Sequence, residues 1–85
     1  MNPIHISKHA HFEMKRRGIA VADVMAVVRH PEQIVPSQNG RTIHQSLNGR
    51  ARRLLLRAVV KEDEHAIHVV TAYKTSKVAK YWRTS

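Results

Sequence analysis

The chain has 85 residues, 42% of them hydrophobic and none cysteine, which allows one small core in a single domain, residues 1–85, and excludes disulfides and thiolate metal sites. Fifteen Lys and Arg against six Asp and Glu give a formal charge of +9, with seven histidines besides. A surplus of that size on a small body attracts polyanions, and nucleic acid is the common polyanion of a cytosol. No apolar run is long enough to span a bilayer and the N-terminus has no apolar signal core, so a cytoplasmic protein without a membrane partner is expected.

Residues 3–6, Pro-Ile-His-Ile, read as a short extended lead-in. Ser7 suits the N-cap of a helix over Lys8–Arg16, since its hydroxyl can accept a first-turn N–H. Ile6, Ala10 and Met14 are spaced by four and face a core, while Lys8, His11 and Lys15 face outward. Gly18 is the expected stop, in the left-handed conformation, with Ile19 as its hydrophobic contact. A second helix is expected over Val21–His30, with Val21, Val24, Met25 and Val28 as its buried stripe and Asp23 in the first turn; Pro31 ends it.

Beyond Pro31 the period falls to two. Gln33–Pro36 is a short strand, with Pro36 suited to an edge, and Asn39-Gly40 is a strong hairpin turn. Arg41–Leu47 alternates, Ile43, Gln45 and Leu47 on one face against Thr42, His44 and Ser46. Asn48-Gly49 offers a second turn of the same kind. Arg53–Lys61 and Ala66–Lys74 read as central strands, joined through the acidic turn Glu62–His65. Thr75–Arg83 returns to a helical period, capped by Thr75 or Ser76. The expected fold is α+β: two N-terminal helices packed on one face of a four-stranded antiparallel meander, then a short C-terminal helix. The other face of the sheet is left for solvent or a ligand.

Three groups of residues can carry chemistry. The first helix gathers Lys8, His9, His11, Lys15, Arg16 and Arg17, where a histidine beside cations can serve as a general base, or where the whole row is simply a solvated face. Tyr73-Lys74-Thr75-Ser76-Lys77, with Lys80, Tyr81 and Trp82, places cations and stacking rings at a strand end; Tyr81 and Trp82 can equally dock the last helix on the core. Arg41, Arg50, Arg52, Arg53 and Arg57 form the third, with Arg53, Leu55 and Arg57 on one strand face. An Arg projecting from a central strand asks for a reason, and Arg–phosphate pairing is bidentate and strong. His5, His9 and His11, and His65 with His68, could instead ligate a metal, but no metal-site spacing stands out and no metal or cofactor is expected.

Ser7-Lys8-His9-Ala10, Met14-Lys15-Arg16-Arg17-Gly18-Ile19 with Asp23-Val24, His30-Pro31-Glu32, and Thr71-Ala72-Tyr73-Lys74-Thr75-Ser76-Lys77 with Lys80-Tyr81-Trp82 together resemble a family of small bacterial proteins of unknown function, over nearly the whole chain. That family looks like a branch of the RelE-like toxins, whose fold is similar to barnase-like and colicin-like ribonucleases. The resemblance implies metal-independent RNA cleavage at an open sheet face, often on ribosome-bound message. It implies His9 as acid or base, Arg17 and Lys74 as phosphate-stabilising cations, and Tyr73, Thr75 and Ser76 close by. Glu13 departs from the pattern, which often has Arg before Met14.

The expected function is therefore an endoribonuclease of the toxin–antitoxin type, with Lys15, Arg41, Arg53, Arg57, Lys77, Lys80 and Tyr81 completing an RNA-binding surface. Two alternatives keep the charge and drop the chemistry: a non-catalytic RNA- or ribosome-binding module, and a protein-interaction domain that receives an acidic, antitoxin-like partner.

Overall fold

A computed structural model describes residues 2–84. Its elements are β1 (Ile4–Ile6), α1 (Lys8–Arg16), α2 (Val21–Arg29), β2 (Gln33–Pro36), β3 (Thr42–Asn48), β4 (Leu54–Glu62), β5 (Ile67–Thr75) and α3 (Val78–Tyr81). The α+β class and the order of the helices match the reading of the sequence. The sheet does not: it has five strands in the order β1-β5-β4-β3-β2. The extended lead-in is itself a strand, paired in parallel with β5, so the sheet is mixed. Pro3 and Ser7 extend that pairing, Pro3 accepting from the Ile67 N–H at 2.9 Å and Ser7 donating to the Val69 carbonyl at 3.4 Å.

Both ends of α1 follow from local chemistry. The Ser7 hydroxyl accepts from the Ala10 N–H at 3.0 Å. At the other end Gly18 has φ +68°; its N–H donates to Lys15 and that of Ile19 to Met14. This pair of bonds is the Schellman arrangement, and Ile19 is buried beside it. The α2 stripe is rotated from expectation. Val24, Val27 and Val28 are buried, whereas Val21 is 46% exposed and Met25 half-buried. In a helix so rich in Val and Ala, several faces satisfy the periodicity, and packing on β3 and β4 selects one.

One face of the sheet carries the core. Ala10 and Met14 of α1 and the α2 valines pack on Leu56, Ala58 and Val60 of β4 and on Val69 and Ala72 of β5. His44 of β3 also points to this side, its Nδ1 3.0 Å from the Val28 carbonyl, and so ties the last turn of α2 to the sheet. The turn before β3 is as expected: Asn39 and Gly40 both have positive φ, at 58° and 72°. The turn after it is longer than a two-residue hairpin. Gly49 leads into a 3-10 turn, Arg50–Arg52, in which Ala51 and Arg52 are left-handed. Arg52 there pairs with Glu32 at 2.5 Å.

Candidate nucleic-acid interface

Strand alternation decides which residues share the face turned away from α1 and α2. On β4, Leu56, Ala58 and Val60 enter the core, so Leu55, Arg57, Val59 and Lys61 belong to the opposite face. The register sets Gln45 of β3 and Tyr73 of β5 on either side of Arg57, and Gln33 of β2 beside Gln45. This row of four polar side chains crosses the middle of the sheet.

Arg57 is its centre, 6% exposed on a central strand. Its Nε donates to Gln45 Oε1 at 2.8 Å and its Nη1 to the Tyr73 hydroxyl at 2.6 Å. The guanidinium carbon lies 4.1 Å from the centroid of the Tyr81 ring and 5.8 Å from that of Tyr73. Nη2 makes no hydrogen bond with the described residues, and none of their carboxylates comes within ion-pair distance. Burying a cation costs of the order of several kcal/mol unless an anion or good hydrogen bonds offset it. Two neutral acceptors and a ring face offset part of that cost and leave the charge itself without a counterion.

The C-terminal segment roofs this row. Gln45, fully buried, donates from Nε2 to Gln33 Oε1 at 2.8 Å and to the Tyr81 carbonyl at 3.2 Å. Gln33 donates to the Arg83 carbonyl at 2.6 Å and accepts from the Arg83 N–H at 3.0 Å. The helix expected over Thr75–Arg83 is thereby reduced to the single turn Val78–Tyr81, with no side-chain cap. Thr75 belongs to β5, and its hydroxyl accepts from the Lys77 N–H at 3.1 Å. Lys80, exposed, sets its ammonium 5.2 Å from the Tyr81 ring centroid. A hollow of about 430 Å³ between β2, Arg83 and Thr84 borders the segment without touching Arg57.

The other residues singled out from the sequence lie elsewhere. Lys74 is in register with Leu56 and so lies on the helix-bearing face, opposite to Tyr73. Arg53 is exposed in the turn before β4 and does not share a strand face with Arg57. His9, exposed on α1, precedes Glu13 by one helical turn. Glu13 pairs with Arg16, and with Arg17 at 3.0 Å. The Arg16 guanidinium bonded to it holds its carboxyl below the ordinary range. Arg17 reaches the outer edge of β5 where β1 has ended, donating to the Ala72 carbonyl at 2.9 Å and to the Thr71 hydroxyl at 3.4 Å. Lys15, Ser76 and Lys77 are exposed. Arg41, half-buried just before β3, has a buried Nε without a partner among the described residues.

The structure thus brings together Arg57, Tyr73, Tyr81 and Lys80, and keeps Lys74, His9, Lys15 and Arg53 apart from them. It adds Gln45 and Gln33, which lie outside the three groups of candidate residues. The signal for Gln45 was an amide between Ile43 and Leu47, in the row of a strand that should be apolar.

The chain matches, over residues 6–78, the family described as a domain of unknown function, DUF4258, and belongs to that family. No curated protein and no solved structure matches it. No helix among the described residues is long and apolar enough to cross a membrane.

Proposed function

We propose that this protein binds RNA on the sheet face turned away from α1 and α2, at the margin of the C-terminal segment, with Arg57 reaching a backbone phosphate through Nη2 and Tyr81 and Tyr73 flanking it as rings on which unpaired bases stack. One observation carries this reading: an almost fully buried guanidinium on a central strand that has no counterion among the described residues. An oxyanion reaching Nη2 would neutralise it with charge-assisted hydrogen bonds. The net charge of +9 supplies the long-range attraction. Kinship with RelE-like toxins would add RNA cleavage to binding, and the ribosome as a site of action; the residues around Arg57 supply a phosphate grip but no imidazole or carboxylate to move a proton.

Binding of a labelled single-stranded RNA, followed by fluorescence anisotropy, tests the reading. Arg57→Ala is expected to weaken it about 10- to 100-fold, the size of a lost hydrogen bond to a charged group. Tyr81→Ala is expected to weaken it by a similar factor. Circular dichroism of each variant checks that the fold persists. Unchanged affinity in a folded Arg57→Ala protein overturns the site.

A second reading is favoured by Phe12, 64% exposed on α1. Lys8, Lys15 and Arg16 surround it on the outer helix surface. An acidic protein with an apolar anchor, of the antitoxin kind, would fit there. Co-purification of a small acidic protein that is lost in Phe12→Asp supports it, and recovery of the same protein with that variant removes it.

A further inference from the structure

The histidines that the sequence offered only as metal ligands occupy the far end of the same open face. His5 of β1 is in parallel register with His68 of β5. Their neighbours Ile4, Ile6, Ile67 and Val69 pack on the core, so both imidazoles stand on the open side, ring centroids 5.7 Å apart. Asp63, in the turn between β4 and β5, places Oδ2 3.0 Å from His68 Nε2. Its Oδ1 accepts from the His65 and Ala66 N–H groups, each at 2.8 Å. Those backbone bonds, with the one to His68, hold the Asp63 carboxyl at about 2. An ionised carboxylate only accepts, so Nε2 of His68 carries a proton, and in the neutral ring Nδ1 is the nitrogen with the free lone pair. Lys61, exposed on the same face, is the cross-strand neighbour of His68. The described residues hold no group of three side chains placed to share a metal ion.

We propose that His68 and His5 form a general base and general acid for metal-independent cleavage of RNA. This rests on the RNA-binding reading and names the reaction that face performs. His68 Nδ1 takes the proton of a 2′-hydroxyl, whose oxygen bonds to the adjacent phosphorus. The bond from phosphorus to the 5′-oxygen breaks, and His5 gives that oxygen a proton. The products are a 2′,3′-cyclic phosphate and a 5′-hydroxyl, and proton exchange with water resets both rings. Lys61 stabilises the charge gathering on the phosphoryl oxygens, and Asp63 is a positioning residue that fixes the tautomer of His68. Arg57 lies four residues along β4, roughly 13 Å at strand spacing, and so grips the same RNA strand away from the broken bond.

The test uses the full chain, EDTA and a single-stranded RNA oligonucleotide, with its 2′-deoxy counterpart as a substrate that binds but lacks the nucleophile. The wild type is expected to release cyclic-phosphate ends from RNA alone. His5→Ala and His68→Ala are each expected to cleave at least 100-fold more slowly, in the range of lost acid–base catalysis, with RNA affinity changed less than twofold. The kcat/KM profile should be bell-shaped in pH and lose one limb in each variant. Asp63→Asn should lower kcat and leave KM in place. Of the charged and titratable groups around the pair, Asp63 bonds His68 and Lys61 is its cross-strand neighbour on the same face; Glu62, in register with core-facing Ile67, lies on the helix-bearing side, and Glu64 and His65 pair with each other in the turn. RNA that is bound but left intact, or cleavage that survives in both histidine variants, overturns the acid–base pair and leaves the binding site standing. Failure to bind RNA at all overturns both.

Discussion

Arg57 shows how one residue sets the character of a face. A guanidinium on a central strand needs acceptors in the plane of the sheet, and Gln45 and Tyr73 provide them from the two neighbouring strands. The arrangement is directional: Gln45 has its oxygen on Arg57 and its nitrogen on Gln33 and the Tyr81 carbonyl. Gln45→Ala would leave Nε of a buried cation without a partner, so stability is expected to fall by roughly 1–3 kcal/mol. Tyr73→Phe removes one acceptor at a half-buried position and is expected to cost about 1 kcal/mol. Urea denaturation of the three proteins orders them, wild type first and Gln45→Ala last. Asp63 is a different kind of residue, since its bonds show in pH. Its carboxyl sits at about 2 in the folded protein against an ordinary 3.8. A depressed folded value means its contribution is complete above 3.8 and is lost as pH falls toward 2. Wild type should therefore lose denaturation midpoint across that acid window, and Asp63→Asn should show a flatter profile there.

At the scale of elements, α1 is the most fully specified part of the chain. Ser7→Ala removes the cap from the Ala10 N–H and is expected to cost about 1 kcal/mol. Gly18→Ala keeps the space, with nothing within 4 Å of an added Cβ, but forces a left-handed alanine at φ +68°; about 1 kcal/mol is expected there too. Thermal unfolding should show two similar and additive losses, because the sites lie at opposite ends of the helix. This is also why α1 was legible in the sequence: cap, stripe and stop are local signals. The parallel pairing of β1 was not legible, since its partner is over sixty residues away and three residues carry no period of their own. For α3, the sequence showed a helical period but not the pull of Gln33 and Gln45 on the Tyr81 and Arg83 backbone, which ends it after one turn. Arg57 stood out as a cation in an apolar strand. Lys74 adjoins Tyr73 in sequence, but strand alternation sends the two to opposite faces.

Across the whole molecule, the carboxylates are few and mostly occupied. Glu13 pairs with Arg16 and Arg17, Glu32 with Arg52, Asp63 with His68 and Glu64 with His65, so most of the fifteen Lys and Arg repel one another with little internal relief. A bound polyanion would remove that repulsion from the folded state and add the contacts at Arg57. Ligand that binds only the folded chain stabilises it by about 2.7 kcal/mol at one hundred times its dissociation constant. In a domain of this size each kcal/mol raises the melting temperature by about 4–8 °C, so saturating RNA at low salt should raise it by roughly 10–20 °C. Because each neutralised phosphate releases counterions, the shift should shrink steeply between 50 and 200 mM salt, on the order of the salt range that cuts affinity most. Arg57→Ala should keep a reduced shift with the same salt trend, carried by the remaining cations. A shift indifferent to salt would mean that apolar contact, not charge, holds the ligand. A shift unchanged in Arg57→Ala would place the ligand elsewhere on the surface.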